Sequence, residues 1–153
     1  MIRFILPLFL FAPLAAPAAQ VVKVYDGDTV TVRDNGREIR VRFACVDAPE
    51  MSQAPHGQVS RDHLAKIIPV GSEVKVEVKT KDQYGRVVGE IFKDGESVNL
   101  RMVEEGQAFV WAKFADQCGA SKFLAAESAA RTAKRGVWRH QVQKPWQYRY
   151  DNR

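Results

Sequence analysis

The chain is poor in the side chains that build most transition-metal and redox centres. Among its 153 residues there are two cysteines and three histidines. His56, His63 and His140 stand in no ligand spacing, and Cys45 and Cys118 are far apart, so nothing suits zinc. No internal repeat, low-complexity tract or long linker is visible past the N-terminus, which excludes solenoid and array architectures. Only one long apolar run exists, "MIRFILPLFLFAPLAAPAAQ" at the start. It is too short and too broken by proline for a good transmembrane helix.

That run reads instead as a leader. It has one positive charge, an apolar stretch and then small residues, and Ala16-Pro17-Ala18 fits an A-x-A cleavage site. The alternative is an N-terminal membrane anchor. On the leader reading, residues 1–18 are removed, the mature chain starts at Ala19, and the protein is secreted or periplasmic. Export bears on the cysteines. In an oxidising compartment Cys45 and Cys118 can pair, and closing their 73-residue separation contributes on the order of 4 kcal/mol in the chain-entropy description. The alternative is two buried free thiols.

Length and composition suit one globular domain with a real core. The net charge of +5 is unevenly placed. Residues 131–153 carry seven Lys or Arg and one acid, while the first 130 carry 16 basic and 17 acidic residues. A basic C-terminus suits a polyanion such as nucleic acid, although anionic lipid or plain solvation fits charge alone equally well.

Val21, Val22 and Val24 begin a strand that Gly27 interrupts. "TVTVR" alternates, "DNG" at 34–36 is a hairpin turn, and "REIRVRFACV" runs back. Residues 58–68 show helical spacing through Val59, His63, Leu64, Ile67 and Ile68, ended by Pro69 and Gly71. "EVKVEVKT" and "RVVGEIF" are strands joined by the turn "KDQYG", and "KDGE" is another turn. Ser97 is placed to cap a short helix to about Glu105. Ser121 is placed to cap a last one, "KFLAAESAARTAKR", that Gly136 stops. "AFVWAKF" reads as a strand or an extended edge. The expected fold is α+β, a five-stranded OB-fold barrel with three packed helices. The expected domain covers residues 19–140, followed by a basic aromatic tail, 141–153.

Four acids crowd two short stretches, Asp26 and Asp28 in "YDGDTV", Asp47 and Glu50 in "RFACVDAPE". Carboxylates brought to one rim repel one another, and a hard divalent cation relieves them. Carboxylate oxygens, a backbone carbonyl and waters suit Ca²⁺, and Mg²⁺ less well. Arg42 and Arg86 add two guanidiniums, which hold phosphate oxygens and neutralise the charge that develops on a phosphodiester under attack. Glu50 remains to orient or deprotonate water. Taken singly, "DGD" is a turn and "DAPE" a loop. Alternation also creates a conflict. The Asn35-Gly36 turn pairs Thr29 with Arg42, which sends Arg42 and Asp28 to opposite faces unless Gly27 frees the strand end.

"VVKVYDGDTVTV", "VRFACVDAPE", "DQYGR" and "AESAARTAKRGVW", in that order, resemble the staphylococcal nuclease (thermonuclease) family over about residues 20–139. The resemblance implies an OB-fold barrel with three helices that cleaves DNA and RNA with Ca²⁺ and leaves 3′-phosphate ends. By position, Asp28 and Asp47 match the metal carboxylates, Ala48 the residue whose carbonyl binds the metal, and Glu50 the general base. Arg42 and Arg86 match the phosphate-binding arginines, and Asp26 the neighbouring acid. Tyr84 falls in the substrate-side turn. Trp111 and Phe114 stand where nucleotide-pocket tyrosines are not clearly matched, and either stack on a base or belong to the core, Trp111 more naturally to the core. The loop "MSQAPHGQ" is shorter than in the staphylococcal enzyme, which lacks the two cysteines. The expected partners are DNA and RNA, the expected assembly a monomer, with no stable membrane association after leader removal. A non-catalytic nucleic-acid-binding module is the alternative, and retention of all five charged positions argues against it. The tail "QKPWQYRYDNR" either stacks on single-stranded bases or packs its aromatics back onto the barrel.

Overall fold

A computed structural model describes residues 18–153. The expected leader lies outside the described residues, except for Ala18. Strands β1 (Ala19–Val24), β2 (Thr29–Asp34) and β3 (Arg37–Phe43) form an antiparallel meander. The β2–β3 turn uses Asn35 and Gly36, both at positive φ, which matches the twist of a tight hairpin. The short strand β4 (Val46–Asp47) follows, then helix α1 (His56–Ile67). Strand β5 (Glu73–Lys81) pairs with both β1 and β6 (Val87–Lys93). Parallel pairing of β3 with β6, Arg42 opposite Val88, closes these five strands into a barrel of the OB type.

The remaining elements cover one end and side. They are β7 (Glu96–Ser97), α2 (Val98–Glu104), β8 (Phe109–Val110), a 3₁₀ segment (Ala112–Cys118), α3 (Ala120–Thr132), a 3₁₀ turn (Gly136–Trp138) and α4 (Pro145–Asp151). Val21, Val30, Val32, Val41 and Ile91 fill the barrel, and Leu64, Met102 and Phe123 bring the first three helices onto the same core. Asn99 ties α2 to the barrel. Its buried amide accepts from Ile91 N–H at 3.0 Å and donates to the carbonyls of Ala44 and Gly89 at 3.0 and 3.1 Å.

Several expectations shift in detail. Val59 is exposed, and the buried line of α1 is Gly57, Ser60, Leu64 and Ile67, an i, i+3, i+4 stripe. Ser97 does cap α2, accepting from Leu100 N–H at 3.2 Å. Ser121 does not cap α3, because left-handed Gly119 turns the chain earlier and leaves Ser121 inside the first turn. The helix also ends at Thr132 rather than near Arg135. The half-buried strand β5 is buried only at its start: Val74 is buried, while Val78, next to a register shift, is exposed. Among the described residues there are four α-helices, not three, since the tail folds into α4.

Cys45 and Cys118 are joined in a disulfide, with 6.3 Å between their Cα atoms. It links the turn between β3 and β4 to the end of the 3₁₀ segment.

Candidate active site

Two glycines let the acids gather. A Cβ on Gly27 would lie 1.9 Å from Ser60 Oγ, and one on Gly57 would lie 2.0 Å from the Glu50 carbonyl oxygen. Helix α1 therefore packs directly under both acid-bearing loops, and Gly27 in "DGD" is there for close approach. The expected register is present, with Thr29 opposite Arg42 and Phe43 N–H donating to Asp28 O at 2.7 Å. The face conflict disappears because Asp28 sits just outside β2. Its carboxylate turns back to accept from Ala48 N–H at 2.5 Å and lies 3.2 Å from Arg42 Nη1. Asp26 holds this loop by accepting from Asp28 N–H at 3.0 Å.

Asp47 approaches from β4, whose pairing with β8 fixes it opposite Phe109. Arg42, nearly buried, donates to Asp47 Oδ1 at 2.8 Å and to the carbonyls of Phe43 and Val46 at 2.9 and 3.0 Å. A cleft of about 530 Å³ is lined by Asp26, Asp28, Arg42, Asp47, Ala48, Glu50, Tyr84, Arg86, Trp111 and Arg149, among others. A neighbouring cleft of about 690 Å³ shares Arg42, Tyr84, Arg86 and Trp111, and adds Lys81, Lys113 and Phe114. Trp111 is half-buried on the wall of both clefts rather than in the core, with Phe114 edge-on to it at 4.9 Å. Tyr84 is 75% exposed at the rim.

Two residues escaped the sequence reading. Asp82, in the "KDQYG" turn, accepts from the backbone N–H of Tyr84 and Arg86 at 2.9 Å, and from Arg86 Nε at 2.7 Å. It both shapes the turn and aims the arginine. Arg149, on α4, spans the acids. Nη1 donates to Asp47 Oδ1 at 3.1 Å and Glu50 Oε1 at 2.6 Å, and Nη2 donates to Asp47 Oδ2 at 2.7 Å. The signal for Arg149 was its i+3 spacing from Trp146 after Pro145, which puts anchor and guanidinium on one helical face.

Burial pushes the Asp28 carboxyl up to about 7, with Arg42 pulling it down and Asp26 pushing it further up. Burial also raises Asp47, against the pull of Arg149, while Asp28 adds to the rise and Arg42 opposes it. Burial works against the charge of Arg149, but its hydrogen bonds to Asp47 and Glu50 outweigh that and raise its pKa. Both rises come first from burial, which outweighs the pull of the arginines facing these acids. Among the described residues no three His, Cys, Asp or Glu side chains form a ready cage for a metal ion. The carboxylates that do converge, those of Asp28 and Asp47 on either side of Arg42, offer hard oxygens, and Ala48 lines the same cleft. They fit a hard divalent cation better than a soft or tetrahedral ion.

The family model of the staphylococcal nuclease homologues matches residues 40–140. The chain belongs to this family. It is 36% identical over 121 residues to an uncharacterized endonuclease of Escherichia coli, covering 78% of this chain and 75% of that one. It is 34% identical over 140 residues to the micrococcal nuclease of Shigella flexneri, covering 85% and 79%. A probable staphylococcal-like nuclease of Oryza sativa subsp. japonica is 34% identical over 118 residues, which cover 76% of this chain but 34% of the longer plant protein.

Proposed function

We propose that the protein is an exported, Ca²⁺-dependent nuclease that hydrolyses DNA and RNA with weak sequence specificity and leaves 3′-phosphate ends. The observation that carries this reading is the convergence of Asp28, Asp47, Glu50, Arg42 and Arg86 on one cleft that opens into a groove with aromatic and basic walls. A binding module needs the groove but has no use for buried acids beside it.

Asp28, Asp47 and the Ala48 carbonyl would hold the calcium ion, which supplies positive charge to the phosphate oxygens. Glu50, half-exposed at the cleft edge, takes a proton from the attacking water. The water oxygen bonds to phosphorus in line with the 5′ oxygen, the P–O5′ bond breaks, and the departing oxygen takes a proton from solvent water. Arg86, aimed by Asp82, and Arg42, fixed at the cleft wall, bind the non-bridging oxygens and stabilise their growing charge. Trp111 and Phe114 offer faces on which a base stacks without reading its sequence. The paired cysteines support export, with the mature chain starting at Ala19.

The test is cleavage of plasmid, single-stranded DNA and RNA by the mature chain, in Ca²⁺ or in excess chelator, with Glu50→Gln alongside. The expected result is Ca²⁺-dependent cleavage with 3′-phosphate ends, lowered at least 100-fold in Glu50→Gln, on the usual scale of general-base loss (about 10²–10⁴-fold). Binding without cleavage, indifferent to Ca²⁺, would overturn it in favour of a non-catalytic module.

A further inference from the structure

Of the two tail arginines that line the cleft, Arg149 and Arg153, Arg149 reaches the acids. It takes both oxygens of Asp47 and one of Glu50, at 2.6–3.1 Å. A calcium ion on Asp47 lies about 2.3–2.6 Å from its ligand oxygen. The guanidinium nitrogens already sit 2.7 and 3.1 Å from those same oxygens. Ion and arginine on one carboxylate would stand only a few ångströms apart, with like charges repelling. They compete.

The tail is built to hold Arg149 there reversibly. Pro145 is buried, and Trp146 meets Phe109 edge-on at 6.3 Å. The Gln53 side chain joins the acid loop to the tail, accepting from Glu50 N–H and donating to the Gln143 carbonyl, each at 2.9 Å. Helix α4 itself is short, and the Arg149 side chain is 37% exposed, so its way out of the cleft is open. We infer that the C-terminal helix is a tethered latch, with Arg149 as an internal competitor that occupies the metal carboxylates until a divalent cation displaces it. The inference rests on the metal reading above. Its consequence is a calcium threshold set by the tail: the ion must displace a tethered charge, and the tail loosens as it binds.

The experiment is calorimetric titration of the mature chain with CaCl₂ at fixed ionic strength, for the native sequence, Arg149→Ala and Arg139→Ala. Arg139 is an exposed arginine outside the cleft, so it controls for net charge. Removing the competitor is expected to tighten Ca²⁺ binding about tenfold (about 1.4 kcal/mol), while Arg139→Ala stays within about twofold of the native chain. Hydrogen exchange on the native chain gives a variant-free readout: amides of residues 147–152 are expected to lose protection as Ca²⁺ saturates. Equal or weaker binding by Arg149→Ala, or tail protection indifferent to bound Ca²⁺, overturns the latch and leaves the metal reading standing. No Ca²⁺ uptake by either the native chain or Arg149→Ala overturns the metal reading, and the latch with it.

Discussion

At the scale of single residues, the two arginines proposed to bind phosphate are not equivalent. Arg42 is nearly buried and countercharges both Asp28 and Asp47, so it belongs to the fold as much as to the chemistry. Removing one partner of a buried charge network leaves the others uncompensated, at a cost of about 3–5 kcal/mol. Arg86 is half-buried at a turn and, among the described residues, pairs with Asp82 alone of the acids. Arg86→Ala is expected to lower turnover about 10²–10³-fold, the usual loss for one transition-state donor, with the urea midpoint almost unchanged. Arg42→Ala is expected to lose turnover and several kcal/mol of stability together. Steady-state assays beside urea melts separate the two, and equal stability losses would contradict the division. The local conflict at Asp28 teaches the same lesson. Strict alternation placed it on the other face of the hairpin from Arg42, and only a backbone leaving the strand at the close-packed Gly27 brings the two charges together.

At the scale of elements, legibility followed the strength of local signals. The meander, its Asn35-Gly36 turn and the Ser97 cap were readable because each rests on a few adjacent residues. Helix α4 was not, because seven residues with one buried anchor carry almost no periodicity, and its position depends on Phe109, Gln53 and the acids elsewhere. The exposure of Val59 was hidden for a related reason: Ser60 faces inward to donate to Gln107 O at 2.7 Å, a polar contact that apolar spacing does not register. Asn99 shows how one polar residue joins elements. Its three buried hydrogen bonds fasten α2 to two separate strand regions. Asn99→Ala takes their side-chain partner from the buried Ile91 N–H and the Ala44 carbonyl, each worth about 1–3 kcal/mol when unsatisfied, while the Gly89 carbonyl keeps the Ala44 N–H at 2.8 Å. The expected loss is at least about 2 kcal/mol in a urea melt. A loss below about 1 kcal/mol would mean that α2 is held by its apolar face alone.

At the scale of the whole molecule, the residues proposed to bind metal and phosphate were named from motif order, but their convergence is a property of the closed barrel. Parallel pairing of β3 with β6 sets Arg42 beside the strand that follows Arg86, and β4–β8 pairing carries Asp47 to the same rim. No stretch of sequence encodes either contact by itself. The disulfide spans this arrangement, tying Cys45, two residues before Asp47, to Cys118 at the end of the segment that bears Phe114. It therefore braces the acid rim against the aromatic groove, and it restricts the unfolded chain over a separation of 73 residues. Reduction is expected to lower stability by about 4 kcal/mol through the unfolded state. It is also expected to weaken oligonucleotide binding more than Ca²⁺ binding, because the groove spans both tethered parts while Asp28 and Asp47 lie on one side. Urea melts with and without reductant test the first part. Parallel titrations of the reduced protein with Ca²⁺ and with a short single-stranded oligonucleotide test the second. Equal weakening of both ligands would place the brace in global stability and not in the alignment of rim and groove.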